Sequence, residues 1–107
     1  MTDVVLVLTT MPAGERAELL ARTLVDEHLA ACVNVYPPMV SLYRWRGVLE
    51  RESEQQIVVK TTASRVPDLR ARISGLHVYE LPELLVLEVR DGSPGYLEWV
   101  GAETRAG

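Results

Sequence analysis

The stretch GLHVYELPELLVLEV, Gly75 to Val89, sets His77, Tyr79, Glu80 and Glu83 close together, just ahead of an apolar run. A neutral imidazole with carboxylates beside it can hold a first-row divalent cation. His77 and Glu80 are three residues apart, so one loop can present both. One imidazole and one carboxylate do not close a coordination sphere; water or a neighbouring chain would have to complete it. A cation held this way is an exchangeable ligand and not an obligatory cofactor. The same residues also have an ordinary role, with the histidine capping the carbonyls at a helix C-terminus or pairing with Glu80.

Other polar candidates are weaker. Cys32 is the single cysteine, so neither a disulfide nor a two-thiolate Cys-x-x-Cys site can form within the chain, and its expected role is that of a small buried hydrophobe. His28 precedes Cys32 by four residues, but LAACVNV turns from helix to strand between them. His28 is expected on the apolar stripe of the helix near its C-terminus, packed or paired with the dipole. Lys60 lies in the strand VVKTT, where its ammonium would meet a carboxylate in an ion pair or an anionic ligand in a cleft. Tyr43, Trp45, Tyr79 and Trp99 could stack on a ligand, although anchoring an interface is the commoner role for such rings. Glu50, Arg51, Glu52 and Glu54 read as a solvated hairpin face.

Enzymatic constellations are missing. There is no glycine-rich phosphate loop, no Ser-His-Asp set and no Cys-His pair with an orienting group. TTMPAGER offers Arg16, but inside a helix and without the glycine spacing of an anion cradle. The reading is of a protein that is not an enzyme.

The 107 residues suffice for one domain with one core, 48% are hydrophobic, and the net charge is −4. That charge, with Glu50, Glu52 and Glu54 close behind Arg44 and Arg46, excludes a nucleic-acid surface. No apolar run approaches the roughly 20 residues of a bilayer span, so no membrane partner is expected. MTDVV lacks the basic flank of a signal peptide, and a cytoplasmic location is expected.

The elements that must position these groups follow from periodicity. Val4 to Leu8 is a continuous apolar strand, broken by Pro12 and Gly14. Ala17, Leu20, Ala21, Leu24 and Val25 make a helical stripe from Glu15 to about Leu29. ACVNVYPP alternates as a second strand, and QIVVKTT is another. Ser64 is a plausible N-cap, with Pro67 in the first turn of a helix carrying Val66, Leu69, Ile73 and Leu76. Leu84 to Val89 is expected as a core strand, and DGSPG leads into a C-terminal helix with Tyr96, Leu97 and Val100. The order is that of an α+β ferredoxin-like sandwich, two split β-α-β units with helices on one face of an antiparallel sheet.

The middle segment exceeds that plan. If Val48 to Thr62 is one strand, it is about 50 Å long, whereas a domain of this size is only about 33 Å across. A hairpin turning near Gly47 must then bend or project. It carries Tyr43 and Trp45 on one face, and an edge of this kind normally finds another strand. Self-association through the hairpin follows.

LAACVNVYPPMVSLYRWRGVLE and LHVYELPELLVLEVRDGSPGYLEWV, together with TTMP and VVKTT, resemble the CutA divalent-cation-tolerance family over nearly the whole chain. The resemblance implies a ferredoxin-like subunit in a tight homotrimer joined through the hairpin strands, PII-like in shape. Tyr43 and Trp45 then belong to the trimer interface. It also implies a non-enzymatic role in metal tolerance, with Cu(II) or another divalent cation as the candidate ligand of His77 and Glu80. The alternative is a PII-like signalling or scaffold module, with Lys60, Tyr79 and Glu83 as candidates in its subunit clefts. Two positions depart from the family. Val78 stands where a proline usually follows the histidine, which leaves the backbone of His77 less constrained. Thr9 stands where some members carry a cysteine, so no thiolate is available there.

Overall fold

In the computed structural model, which describes residues 2–105, β4, Val48–Thr62, is a single strand of 15 residues. Its C-terminal half is flanked on one side by β1, Val4–Pro12, from Val4 opposite Thr62 to Pro12 opposite Glu54. On the other side it pairs first with β2, Cys32–Val35, over Ile57–Lys60, and then with β3, Met39–Trp45, over Val48–Glu54. A short strand β5, Leu85–Glu88, adds to the free side of β1. The order β2-β4-β1-β5 is fully antiparallel, with β3 continuing along the edge that β2 begins. The ferredoxin-like α+β sandwich expected from the chain is what forms.

β-branched and leucine residues dominate β1, and it is buried on both faces over most of its length. It continues past Leu8 to Pro12, because a proline is tolerated at the end of a strand where no ladder donor is needed. Val5, Val7 and Met11 face helix α1, Glu15–Asp26, and helix α2, Val66–Leu76, in one core with Leu20, Leu24, Ile57, Val59, Leu69 and Ile73. Helix α3, Pro94–Glu103, packs Val100 with Val4 and Ala31 in a second, smaller cluster. The sheet therefore carries α1 and α2 on one face and α3 over one end of the other, not all its helices on one side.

Several local expectations shift. α1 ends at Asp26, three residues early, in a left-handed turn. His28 adopts φ 59°. The amide of Leu29 bonds the carbonyl of Leu24, and that of His28 bonds Val25. This is the Schellman closure, with histidine where glycine is usual. The Nδ1 of His28 lies 3.0 Å from the carbonyl of Glu103. His28 leaves the apolar stripe of α1 and instead caps the C-terminal end of α3. Ser64 is not the N-cap of α2; it lies in a 3₁₀ turn, Ala63–Arg65, and α2 starts at Val66. Cys32 is half-buried, not enclosed.

The core strand expected at Leu84 to Val89 is shorter, and only its flanks, Leu84 and Val89, pack against the core clusters. All four residues of β5 are exposed, Leu85 at 53% and Leu87 at 46%. One neighbour on one edge cannot bury it.

The hairpin projects. Arg46 and Gly47 both take positive φ, 50° and 82°, as a two-residue type I′ connection requires. β1 ends opposite Glu54 and the Ala13 amide still bonds the Ser53 carbonyl, so Val48 to Glu52 pair on one side only. The molecule measures 44 × 26 × 24 Å, with a radius of gyration of 14.4 Å.

Thr9 is fully buried and its hydroxyl has no partner among the described residues. Replacing it with the isosteric valine removes an unpaired polar group from the core. Thr9→Val should gain about 1–2 kcal/mol in urea unfolding; an unchanged or lower midpoint would show that the hydroxyl is satisfied in solution.

Candidate functional site

β3, the middle of β4, the end of β1 and the loop from Tyr79 to Glu83 enclose a cleft of about 530 Å³. The pleat explains its composition. Thr10 faces Gln56, Met39 faces Glu54, Ser41 faces Glu52 and Tyr43 faces Glu50. Side chains opposite one another share a face, so Thr10, Gln56, Glu54, Met39, Ser41, Tyr43 and Trp45 all stand on the side away from α1 and α2. The loop then folds Tyr79, Glu80, Leu81 and Glu83 over them.

The loop is held by side chains bonding backbone. Gln56 donates from Nε2 to the Thr9 carbonyl at 2.7 Å and to Glu83 Oε2 at 3.0 Å. His77 bonds in both directions. Its Nδ1 accepts the Tyr79 amide at 3.0 Å, and its Nε2 lies 2.6 Å from the Thr10 carbonyl. An acceptor at Nδ1 and a carbonyl at Nε2 are satisfied together only by the neutral tautomer protonated on Nε2. No proline is needed to fix this segment; the imidazole staples it to β1. The rings of His77 and Tyr79 lie 5.0 Å apart.

This geometry bears directly on the cation expected at His77 and Glu80. Neither ring nitrogen keeps a free lone pair. Glu80 is engaged elsewhere, accepting from Arg46 Nη2 at 2.8 Å. Among the described residues, no group of three or more His, Cys, Asp or Glu side chains converges as a metal site. The residues present do not fit a resident divalent ion within one subunit.

Tyr79, Glu80, Glu83, Tyr43 and Trp45 do come together, all in the cleft. Lys60 does not line it; its ammonium lies 5.9 Å from the ring centre of Tyr96, beside α3. Glu54 is the residue that sequence reading missed. Its sequence neighbours make it read as one of the solvated glutamates of the hairpin, yet it is only 6% exposed. Nothing local separates it from Glu50 and Glu52, which share its period-two face; the register of β4 against β1 and β3 does. Burial, and next the nearby Glu54 carboxylate, push the Tyr79 hydroxyl well above the ordinary tyrosine range.

Removing the His77 staple leaves the Thr10 carbonyl and the Tyr79 amide without partners. His77→Ala should cost about 1–3 kcal/mol of stability, read by urea unfolding; a change near zero would mean the ring's bonds are replaced by water. The Tyr79 hydroxyl holds its proton more tightly folded than unfolded, so it titrates late. Above a pH of about 10 the unfolded chain loses this proton first, and stability falls as pH rises. Phenolate absorbance should show a late-titrating component that Tyr79→Phe abolishes. If Tyr79→Phe leaves the alkaline limb unchanged, the hydroxyl is not perturbed by its site.

Comparison with known proteins agrees with this architecture. Residues 5–103 match the family model of the CutA1 divalent ion tolerance protein. The divalent-cation tolerance protein CutA of Thermus thermophilus is 42% identical over 98 residues, covering 92% of this chain and 95% of its own. The mouse protein CutA is 40% identical over 97 residues, 91% of this chain but only 55% of its own, so this chain spans about half the length of that relative. Among solved structures, the PII-like protein CutA of Nostoc sp. PCC 7120 superposes with a TM-score of 0.90 at 39% identity, covering 96% of this chain and 99% of its own. The sheet with its over-long hairpin strand and the extent of these matches lead to one conclusion: the chain belongs to the CutA1 divalent ion tolerance family.

Proposed function

We propose that this protein is a non-enzymatic, homotrimeric component of divalent-cation tolerance in the cytoplasm. One observation carries the trimer: β4 outruns its partner. Val48 to Glu52 present an unpaired edge on one side, and β5 presents another, with Leu85, Val86 and Leu87 exposed. Unpaired backbone donors and acceptors along a sheet edge are a pairing site. Two different edges on one chain join head to tail, and such contacts close into a ring when the rotation permits. Tyr43 and Trp45, on the projecting hairpin, lie at that junction.

A second reading is favoured by the cleft: a PII-like module in which a small ligand is received between the hairpin and the loop from Tyr79 to Glu83. Copper contact at His77 requires the imidazole to release the Tyr79 amide, so affinity there is modest and follows the ordinary order of first-row ions.

Light scattering after size exclusion should give one species at three times 11.9 kDa. Leu87→Glu should disrupt assembly by about 3–5 kcal/mol, because it buries an unpaired charge at the junction. Leu19→Glu, on the exposed face of α1, should be neutral to within about 0.5 kcal/mol. A stable monomer at micromolar concentration, or equal tolerance of both changes, would refute the arrangement. Calorimetry with Cu(II) on tag-free protein should find weak binding that His77→Ala changes by less than about threefold; a larger loss would return His77 to the metal.

A further inference from the structure

The cleft has a chemical bias that metal tolerance does not explain. Glu54 is nearly enclosed at its floor. Among the described residues, none of the ion pairs reaches it. The Tyr79 hydroxyl lies beside it, but a neutral hydroxyl is no counter-charge, and a buried carboxylate without one is costly. Glu80 and Glu83 add two further carboxylates, while Tyr43, Trp45 and Tyr79 supply aromatic rings. No lysine, arginine or histidine lines the space among the described residues. Carboxylates combined with aromatic faces are the environment that recognises an organic cation, through charge-assisted hydrogen bonds at its head and ring quadrupoles along its flanks. A bare metal ion is a poor match, since no three donors converge and the volume of about 530 Å³ is that of a small-molecule site.

The chain itself shows the preference. At the mouth of the cleft the guanidinium of Arg46 sits 5.2 Å from the ring centre of Trp45 and donates to Glu80 at 2.8 Å. One cation from the protein already occupies an aromatic-and-carboxylate pair at the rim; the deeper carboxylate, Glu54, has none.

We propose that this cleft binds a small organic cation bearing a guanidinium or primary ammonium group, with Glu54 as its counter-charge and Tyr43, Trp45 and Tyr79 as its walls. This rests on the second reading above, that the cleft receives a small ligand, and supplies the class of that ligand.

Calorimetry on the full-length, tag-free protein tests it, with agmatine as the probe and butylurea as an uncharged analogue. Agmatine should bind saturably and butylurea should not. Glu54→Gln should weaken agmatine at least about tenfold, whereas Glu15→Gln, on the exposed first turn of α1, should leave it unchanged. Should Glu54→Gln fail to fold, the comparison of agmatine with butylurea on the wild type still decides: equal binding overturns the proposal. Equal affinity of Glu54→Gln and wild type also overturns it. Saturable binding of glutamate or inorganic phosphate in place of agmatine refutes the cation class while leaving a ligand cleft in place. If agmatine does not bind and Glu54→Gln lowers the mass seen by light scattering, the missing cation is an arginine of another copy, and the proposal fails.

Discussion

Every other element of this fold depends on the pairing of β4. One strand of 15 residues meets β1 on one side and β2 followed by β3 on the other. Its C-terminal half, with Ile57 and Val59 fully buried, is the centre of the core that α1 and α2 cover. Its N-terminal half leaves the body with only β3 for company. The same strand is thus a buried spine at one end and an unsatisfied edge at the other. That asymmetry gives a 107-residue chain both a stable core and a reason to associate.

The cleft forms where these two regimes meet. Glu54 is the last β4 residue opposite β1 and is also opposite the first residue of β3. Behind it the sheet is closed; ahead of it the hairpin rises free. The loop after α2 covers this corner and is pinned there by Gln56 and His77, both bonding the backbone of β1. The histidine that looked most like a metal ligand is spent on architecture. Two backbone groups that no ladder satisfies, the Thr10 carbonyl and the Tyr79 amide, are met by one neutral ring. The same principle places His28, whose ring serves the carbonyl end of α3.

Electrostatics then distinguishes two kinds of acidic residue. Glu18, Glu27 and Glu80 are paired with arginines, at solvent-exposed positions where such pairs contribute little to stability. Glu54 is enclosed without one, and its effect is visible in the Tyr79 hydroxyl.

Much of this was determined by the chain alone. Periodicity identified the strands and helices of the two split β-α-β units, and the length of Val48 to Thr62 against the size of the body required a hairpin that bends or projects. These are properties of residues close in sequence and of counting. What tertiary structure decided were the contacts across long separations. Leu84 to Val89 reads as core because it is apolar, but burial depends on neighbours, and among the described residues of one subunit β5 has a strand on one side only. Three helices looked equivalent until the pleat set Val4 and Val5 on opposite faces and sent α3 to the far side. His77 carries the residue type of a ligand, yet the Thr10 carbonyl that occupies it is 67 residues away. Glu54 differs in no local respect from Glu50 and Glu52. Only the register of β4 against β1 and β3 takes it from water into the floor of a cleft, because burial belongs to the fold and not to the residue.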